Sequence, residues 1–101
     1  MVWDLGRAMR KKEEFESARL MDFEYRLRAR TMRLLGDRLG RDGARYARET
    51  ALRSDEAIVD LIAAETDRSR EEIVSEHVRC ATEARAQLIG ERGDPTPYRL
   101  G

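Results

Sequence analysis

Proline occurs only at positions 95 and 97, so nothing in the long stretch before them is compelled to leave a helix by a locked φ or a missing amide. The residues that fill that stretch agree with it. Ala, Leu, Glu and Arg dominate, aromatics are sparse, and no alternation of apolar and polar residues at period two marks a strand. An all-helical chain follows. At 101 residues it has room for one domain, and a domain of that size buries roughly 65% of the surface its unfolded chain exposes. That is enough for a modest single core and too little for a deep cleft.

The longest helical pattern runs from Arg7 to Leu39. On its wheel Met21, Tyr25, Ala29, Met32, Leu35 and Leu39 form one apolar stripe, and Leu20, Phe23, Leu27 and Leu34 form a second beside it. The combined arc is too wide for one neighbour, so the helix is expected to pack against at least two. Gly36, Gly40 and Gly43 end it, and Asp42 is placed to cap a short second helix from Ala44 to Arg53. Tyr46 anchors that helix, while Ala47 and Ala51 allow close approach.

Ser54, followed by Asp55 and Glu56, opens a third helix, because its hydroxyl can accept from a free amide and the acids face the positive end of the dipole. It buries Ile58, Val59, Leu61 and Ile62 and ends near Thr66. Ser69-Arg70-Glu71-Glu72 is a capping box, worth about 1 kcal/mol for its cap. The fourth helix runs from there to about Ile89 with Ile73, Val74, His77, Val78, Ala81, Ala84 and Leu88 inward, and Gly90 with Gly93 closes it. The expected fold is an all-α four-helix bundle with a long first helix, two short helices and a fourth of intermediate length. Residues 1–14 are read as an exposed N-terminal segment, 15–90 as the bundle and 91–101 as a flexible tail.

Net charge is zero, so bulk electrostatics favour neither nucleic acid nor a membrane surface. The zero hides an asymmetry: residues 1–53 hold 14 basic and 9 acidic side chains, and residues 54–101 hold 6 basic and 11 acidic. The halves should attract as they fold. Arg19, Arg26, Arg30 and Arg33 fall within a narrow arc of the first helix, opposite both apolar stripes, as a basic ridge. Such a ridge is read first as a solvated face, then as a protein-binding face; nucleic acid ranks last, because the domain is neutral and that face has few aromatics. No apolar run reaches the 18 or so residues that span a bilayer, the first residues lack the apolar stretch of a secretion signal, and Cys80, the only cysteine, cannot form an internal disulfide. A cytoplasmic protein without membrane insertion is expected.

His77 and Cys80 lie one turn apart, a spacing that suits two metal ligands, but no second His or Cys completes a soft site. They are read as core residues. No glycine-rich phosphate loop and no Ser-His-Asp set are present. The chain is expected to be non-enzymatic and without a cofactor.

The N-terminal segment stands apart. Arg7, Arg10, Lys11 and Lys12 are followed at once by Glu13, Glu14 and Glu16, and Val2, Leu5 and Met9 form a short apolar stripe with Trp3 beside it. The segment extends beyond what three later helices can cover, and an isolated helix of that length is marginal in water. Two readings remain open on the residues alone: an ordinary frayed terminus, or a segment ordered by a partner groove.

Tyr25-Arg26-Leu27-Arg28-Ala29-Arg30-Thr31-Met32-Arg33-Leu34-Leu35-Gly36 resembles the aromatic-basic-x-x-Ala-Arg-x-x-Arg-Leu-Leu-Gly stretch of the zeta family, inhibitor subunits of bacterial F-type ATP synthases. Tyr46-Ala47-Arg48-Glu49, the acidic-then-aliphatic Asp55 to Ile62, and Glu83-Ala84-Arg85-Ala86-Gln87-Leu88 resemble further segments of that family in the same order. The resemblance implies a four-helix bundle whose N-terminal segment enters an interface of the synthase head, formed by its alpha, beta and gamma subunits, and blocks rotation in the hydrolytic direction. On that basis Arg7, Met9, Arg10, Lys11, Lys12, Glu14, Phe15 and Arg19 are the expected contact residues. The protein is then expected to be a monomer when free and to work at the membrane-attached synthase. The alternative is a divergent helical adaptor for a different protein, without ATPase inhibition.

Overall fold

A computed structural model describes residues 5–96, with side chains described from residue 10 onward. Four helices make up the described residues: α1 (Leu5–Arg38), α2 (Gly43–Glu49), α3 (Asp55–Glu65) and α4 (Arg70–Arg92). The expected order of one long, two short and one intermediate helix is what forms. Each of the last three starts where a side-chain oxygen caps it: Asp42 accepts from the Arg45 amide (3.3 Å), Ser54 from Ala57 (3.2 Å) and Ser69 from Glu72 (3.1 Å).

Two helix ends differ from expectation. α2 stops at Glu49 rather than Arg53, because Thr50 turns its hydroxyl back onto the Ala47 carbonyl (2.6 Å) and the carbonyls of Thr50 and Arg53 accept from the Arg28 guanidinium (3.3 and 2.9 Å). α4 runs through Gly90 to Arg92; it ends at Gly93, whose φ of +82° a side chain would resist. A Cβ at Gly90 would meet nothing, so that glycine sits in open space on the helix surface.

α1 packs against α2 and α4, and α3 packs against α4. The core draws on all four helices: Met32 and Leu35 with Leu39, Tyr46, Ile58, Val59 and Ile62, and Ile73 with Cys80. Ala84, Leu88 and Phe23 are buried as well. Val74 and Val78 were expected inward but are 40% and 59% exposed. They lie on a side of α4 that neither α1 nor α3 reaches. His77 is half-buried, and burial pushes the Cys80 thiol up.

The tightest contact joins the end of α1 to the start of α2. A Cβ on Gly36 would stand 2.6 Å from Gly43 Cα, and one on Gly43 would collide with the Arg33 carbonyl oxygen and the Asp37 carboxylate. Only glycine lets these two stretches of backbone meet. A second tie closes the opposite side. Glu65, at the end of α3, accepts two hydrogen bonds from the Arg45 guanidinium (2.6 and 2.8 Å), one from the Tyr46 hydroxyl (2.9 Å) and one from Arg41 (3.2 Å). The bonds from Arg45, then Tyr46, hold its carboxyl down at about 2.

Two predictions follow from these ties. Gly43→Ala meets backbone that cannot give way, and overpacking of this kind costs roughly 1–3 kcal/mol; a thermal melt should fall by about 5 °C or more. The Glu65 network contributes stability that is fully present above the unfolded carboxyl's ordinary 4.5 and is lost as pH falls to about 2. Glu65→Gln should therefore lower the urea midpoint at pH 7, and the gap from wild type should close as the titration reaches pH 2.

Candidate protein-docking site

α1 is 34 residues long, which at 1.5 Å per residue is about 51 Å. α4 runs antiparallel beside it but is only 23 residues, so the two cannot cover each other. Their register is given by side chains: Arg38 meets Glu83 (2.5 Å) near one end, Arg30 meets Glu91 (2.9 Å) further along, and Arg92 faces Asp22 (4.0 Å) where α4 stops. Beyond that point α4 no longer lies beside α1. Residues 10–22 are exposed except for half-buried Glu16, and among the described side chains the first buried one is Phe23. The longest dimension is 67 Å and the radius of gyration 17.7 Å, against about 13 Å for a compact chain of 100 residues.

The bare stretch, here called the arm, stays helical because no glycine or proline interrupts residues 7–35 and long unbranched side chains fill it. Its base is fastened. Phe23 is 3% exposed, with the Arg85 guanidinium 5.6 Å from its ring centroid. Arg19 donates to the Asp94 carbonyl (3.3 Å), and the Asp94 carboxylate in turn accepts from the Thr96 amide (2.8 Å), with Pro95 buried between them in sequence. The last described residues thus close over the foot of the arm.

Of the expected contact residues, Arg10, Lys11, Lys12, Glu14, Phe15 and Arg19 are all exposed on the arm. The backbones of Arg7 and Met9 belong to α1, but their side chains, like Val2, Trp3 and residues 97–101 of the expected tail, lie outside the described residues. Phe15 is 70% exposed. Met21 and Tyr25, expected in the core, are 73% and 53% exposed, and Leu20 is at 38%. This corrects the apolar stripe: it is buried from Met32 onward, half-buried at Ala29, and bare at Tyr25 and Met21.

A regular pattern runs from the bare part into the buried one. Phe15, Ala18, Asp22, Tyr25, Ala29, Met32, Gly36 and Leu39 recur at alternating spacings of three and four, the a and d positions of a coiled-coil seam. Arg19, Arg26 and Arg33 each follow a d position, seven residues apart along one edge. That spacing places Tyr25 on the seam with Met21 beside it, but it does not tell which part of the seam a neighbour covers.

The basic ridge is not where it was expected. It borders the edge of α1 that α4 approaches, and one of its members, Arg30, is paired by α4. Arg30 donates to Glu91 (2.9 Å) and Gln87 (3.0 Å), and Arg26 pairs with Asp22 (3.0 Å). Arg26, Arg30, Arg33 and Arg92 line a shallow groove of about 710 Å³ together with Tyr25 and Glu91. Among the described residues no group of three or more His, Cys, Asp or Glu is arranged to hold a metal, and no helix is long and apolar enough to cross a membrane. Comparison with family models, curated proteins and solved structures returns no match for this chain.

An arm whose described ties to the bundle lie at its foot has amides protected unevenly. Hydrogen exchange should be fast over residues 10–20 and slower by at least two orders of magnitude over residues 30–39, measured by mass spectrometry at neutral pH. Uniform protection along α1 would contradict the exposure of the arm.

Proposed function

We propose that this protein is a regulatory subunit that docks on the catalytic head of an F-type ATP synthase and inhibits ATP hydrolysis through the α1 arm. The observation that carries the reading is a bare helical projection, with Phe15 and Met21 largely exposed, ahead of a bundle that completes its core without it. A projection of that form suits helix-in-groove recognition, in which an apolar face supplies affinity and the surrounding charges supply register. The resemblance of residues 25–36 and of three later segments to the zeta family names the target.

The physical logic is a wedge. Rotary hydrolysis requires each catalytic interface to open and close in turn, and a helix that binds one state of an interface more tightly than the others holds it there. Inhibition then scales with the difference in affinity between states rather than with affinity itself. The bundle supplies bulk that the interface cannot swallow and fixes the arm's direction.

An adaptor that uses the arginine ridge draws less support, because Arg26 and Arg30 are already engaged by Asp22, Gln87 and Glu91. The same pairing weighs against nucleic acid.

Steady-state ATP hydrolysis by the cognate head, with and without the full chain, tests the proposal directly. Wild type should inhibit. Removal of residues 1–18 should abolish inhibition while leaving the helical signal of the bundle and its cooperative melt in place. Equal inhibition by the truncated form would overturn the assignment of the arm, and no inhibition by wild type would overturn the target.

A further inference from the structure

We infer that the residues after α4, Gly93 to Thr96, are a strap that latches the foot of the α1 arm to the bundle, and that opening it frees α1 back to Phe23. The device belongs to the free chain and does not depend on what the arm docks on.

The strap side begins where α4 stops at Arg92. Gly93 takes a φ of +82°, which ends the helix and redirects the chain. Asp94 is thereby brought to α1: its carbonyl accepts from Arg19 (3.3 Å), and a Cβ on Gly93 would lie 4.0 Å from the same guanidinium. The Asp94 carboxylate accepts from the Thr96 amide (2.8 Å), which folds the chain back around Pro95. Pro95 is buried, while Gly93, Asp94 and Thr96 around it are exposed. A segment that merely trailed from the end of a helix would bury nothing.

The α1 side consists of two residues one turn apart. Arg19 reaches the strap, and Phe23, 3% exposed, has the Arg85 guanidinium of α4 5.6 Å from its ring centroid. Arg85 faces the strap as well. Bonds from Thr96, with the charges of Arg85 and Arg19 adding to them, hold the Asp94 carboxyl below its usual range. One carboxylate thus has a cation from each long helix beside it. The neighbouring tie is looser: Arg92 stands 4.0 Å from Asp22, which is already bonded to Arg26 of its own helix at 3.0 Å.

Closing the strap orders two segments at once, the chain after Gly93 and the turn of α1 between Arg19 and Phe23. The same contacts order both, so loosening either loosens the other by the same factor. That reciprocity separates a latch from a tail resting on a rigid helix. A ligand that bound the opened strap would therefore loosen the arm from the far side.

Residue-resolved hydrogen exchange by NMR on the free full-length chain tests the inference with wild type, Arg19→Gln, Pro95→Ala and the double variant. Pro95→Ala should speed the amides of residues 20–24 roughly tenfold, and Arg19→Gln should speed the Thr96 amide by a similar factor, with residues 30–39 and the melt unchanged. The double variant should be no faster than the faster single one, because both substitutions open the same latch. Lys12→Gln, further out on the exposed arm, should move neither segment. If either substitution leaves the other segment's rates as in wild type, or if the double variant's effect is the product of the singles, there is no strap. ATP hydrolysis does not enter the readout, so that result would leave the docking role of the arm standing.

Discussion

The contact between Gly36 and Gly43 sets the geometry of everything else on α1. Because backbone meets backbone there, α2 folds down against the last three turns of α1 and nowhere else, and Tyr46 is delivered into the core at 1% exposure. The chain then has 11 residues of α3 and 23 of α4 with which to cover a helix of 34. α4 starts near the Gly36 end, since Arg38 reaches both Glu76 (3.6 Å) and Glu83. It is spent by the time it draws level with Asp22. The bare arm is thus a consequence of helix lengths measured from a fixed end, and it requires no special sequence of its own.

The charge asymmetry between the two halves is used up in this arrangement. Arg28 with Asp55, Arg30 with Glu91, Arg38 with Glu83, and Arg41 and Arg45 with Glu65 each join a basic residue of the first half to an acid of the second. Most are half-exposed pairs, which contribute little to stability. Their effect is on which faces meet: the register of α1 against α4 is read out by pairs along the whole shared length. Glu65 differs, because Arg45 grips both its oxygens and Tyr46, held neutral by burial, donates a further bond. That network fixes the far end of α3 where apolar contacts between α2 and α3 are few.

Much of the fold could be read from the residues. Asp42, Ser54 and Ser69 announced their helices because a cap is a local event, settled by one side chain and the amide three residues on. Tyr25, Met21, Val74 and Val78 were misplaced for one shared reason. Periodicity tells which residues share a face, but whether a neighbour covers that face depends on the lengths and directions of other helices. Arg30 was misplaced for the converse reason: a basic ridge looks like a solvated face until the acceptors of a distant segment, the Gln87 amide and the Glu91 carboxylate, are known to lie beside it. The heptad spacing of Arg19, Arg26 and Arg33 is the exception, a long-range signal present in the sequence alone.

Continuity between arm and bundle bears on how the arm could bind well with so few residues. A free peptide must form its first helical turn against a nucleation factor of about 10⁻³ before any groove can hold it. Here the nucleus exists already, because α1 is locked from Phe23 onward by the core and by the Arg85 and Asp94 contacts at its foot. Extending the helix toward the N-terminus fixes one residue per hydrogen bond, with a propagation constant near unity. The ordering free energy that weakens most coupled folding and binding is therefore small for this arm. Its orientation is also set before contact, which reduces the rotational search that docking would otherwise require. A short helical face with three exposed apolar side chains gains from both, and loses both if the foot is released.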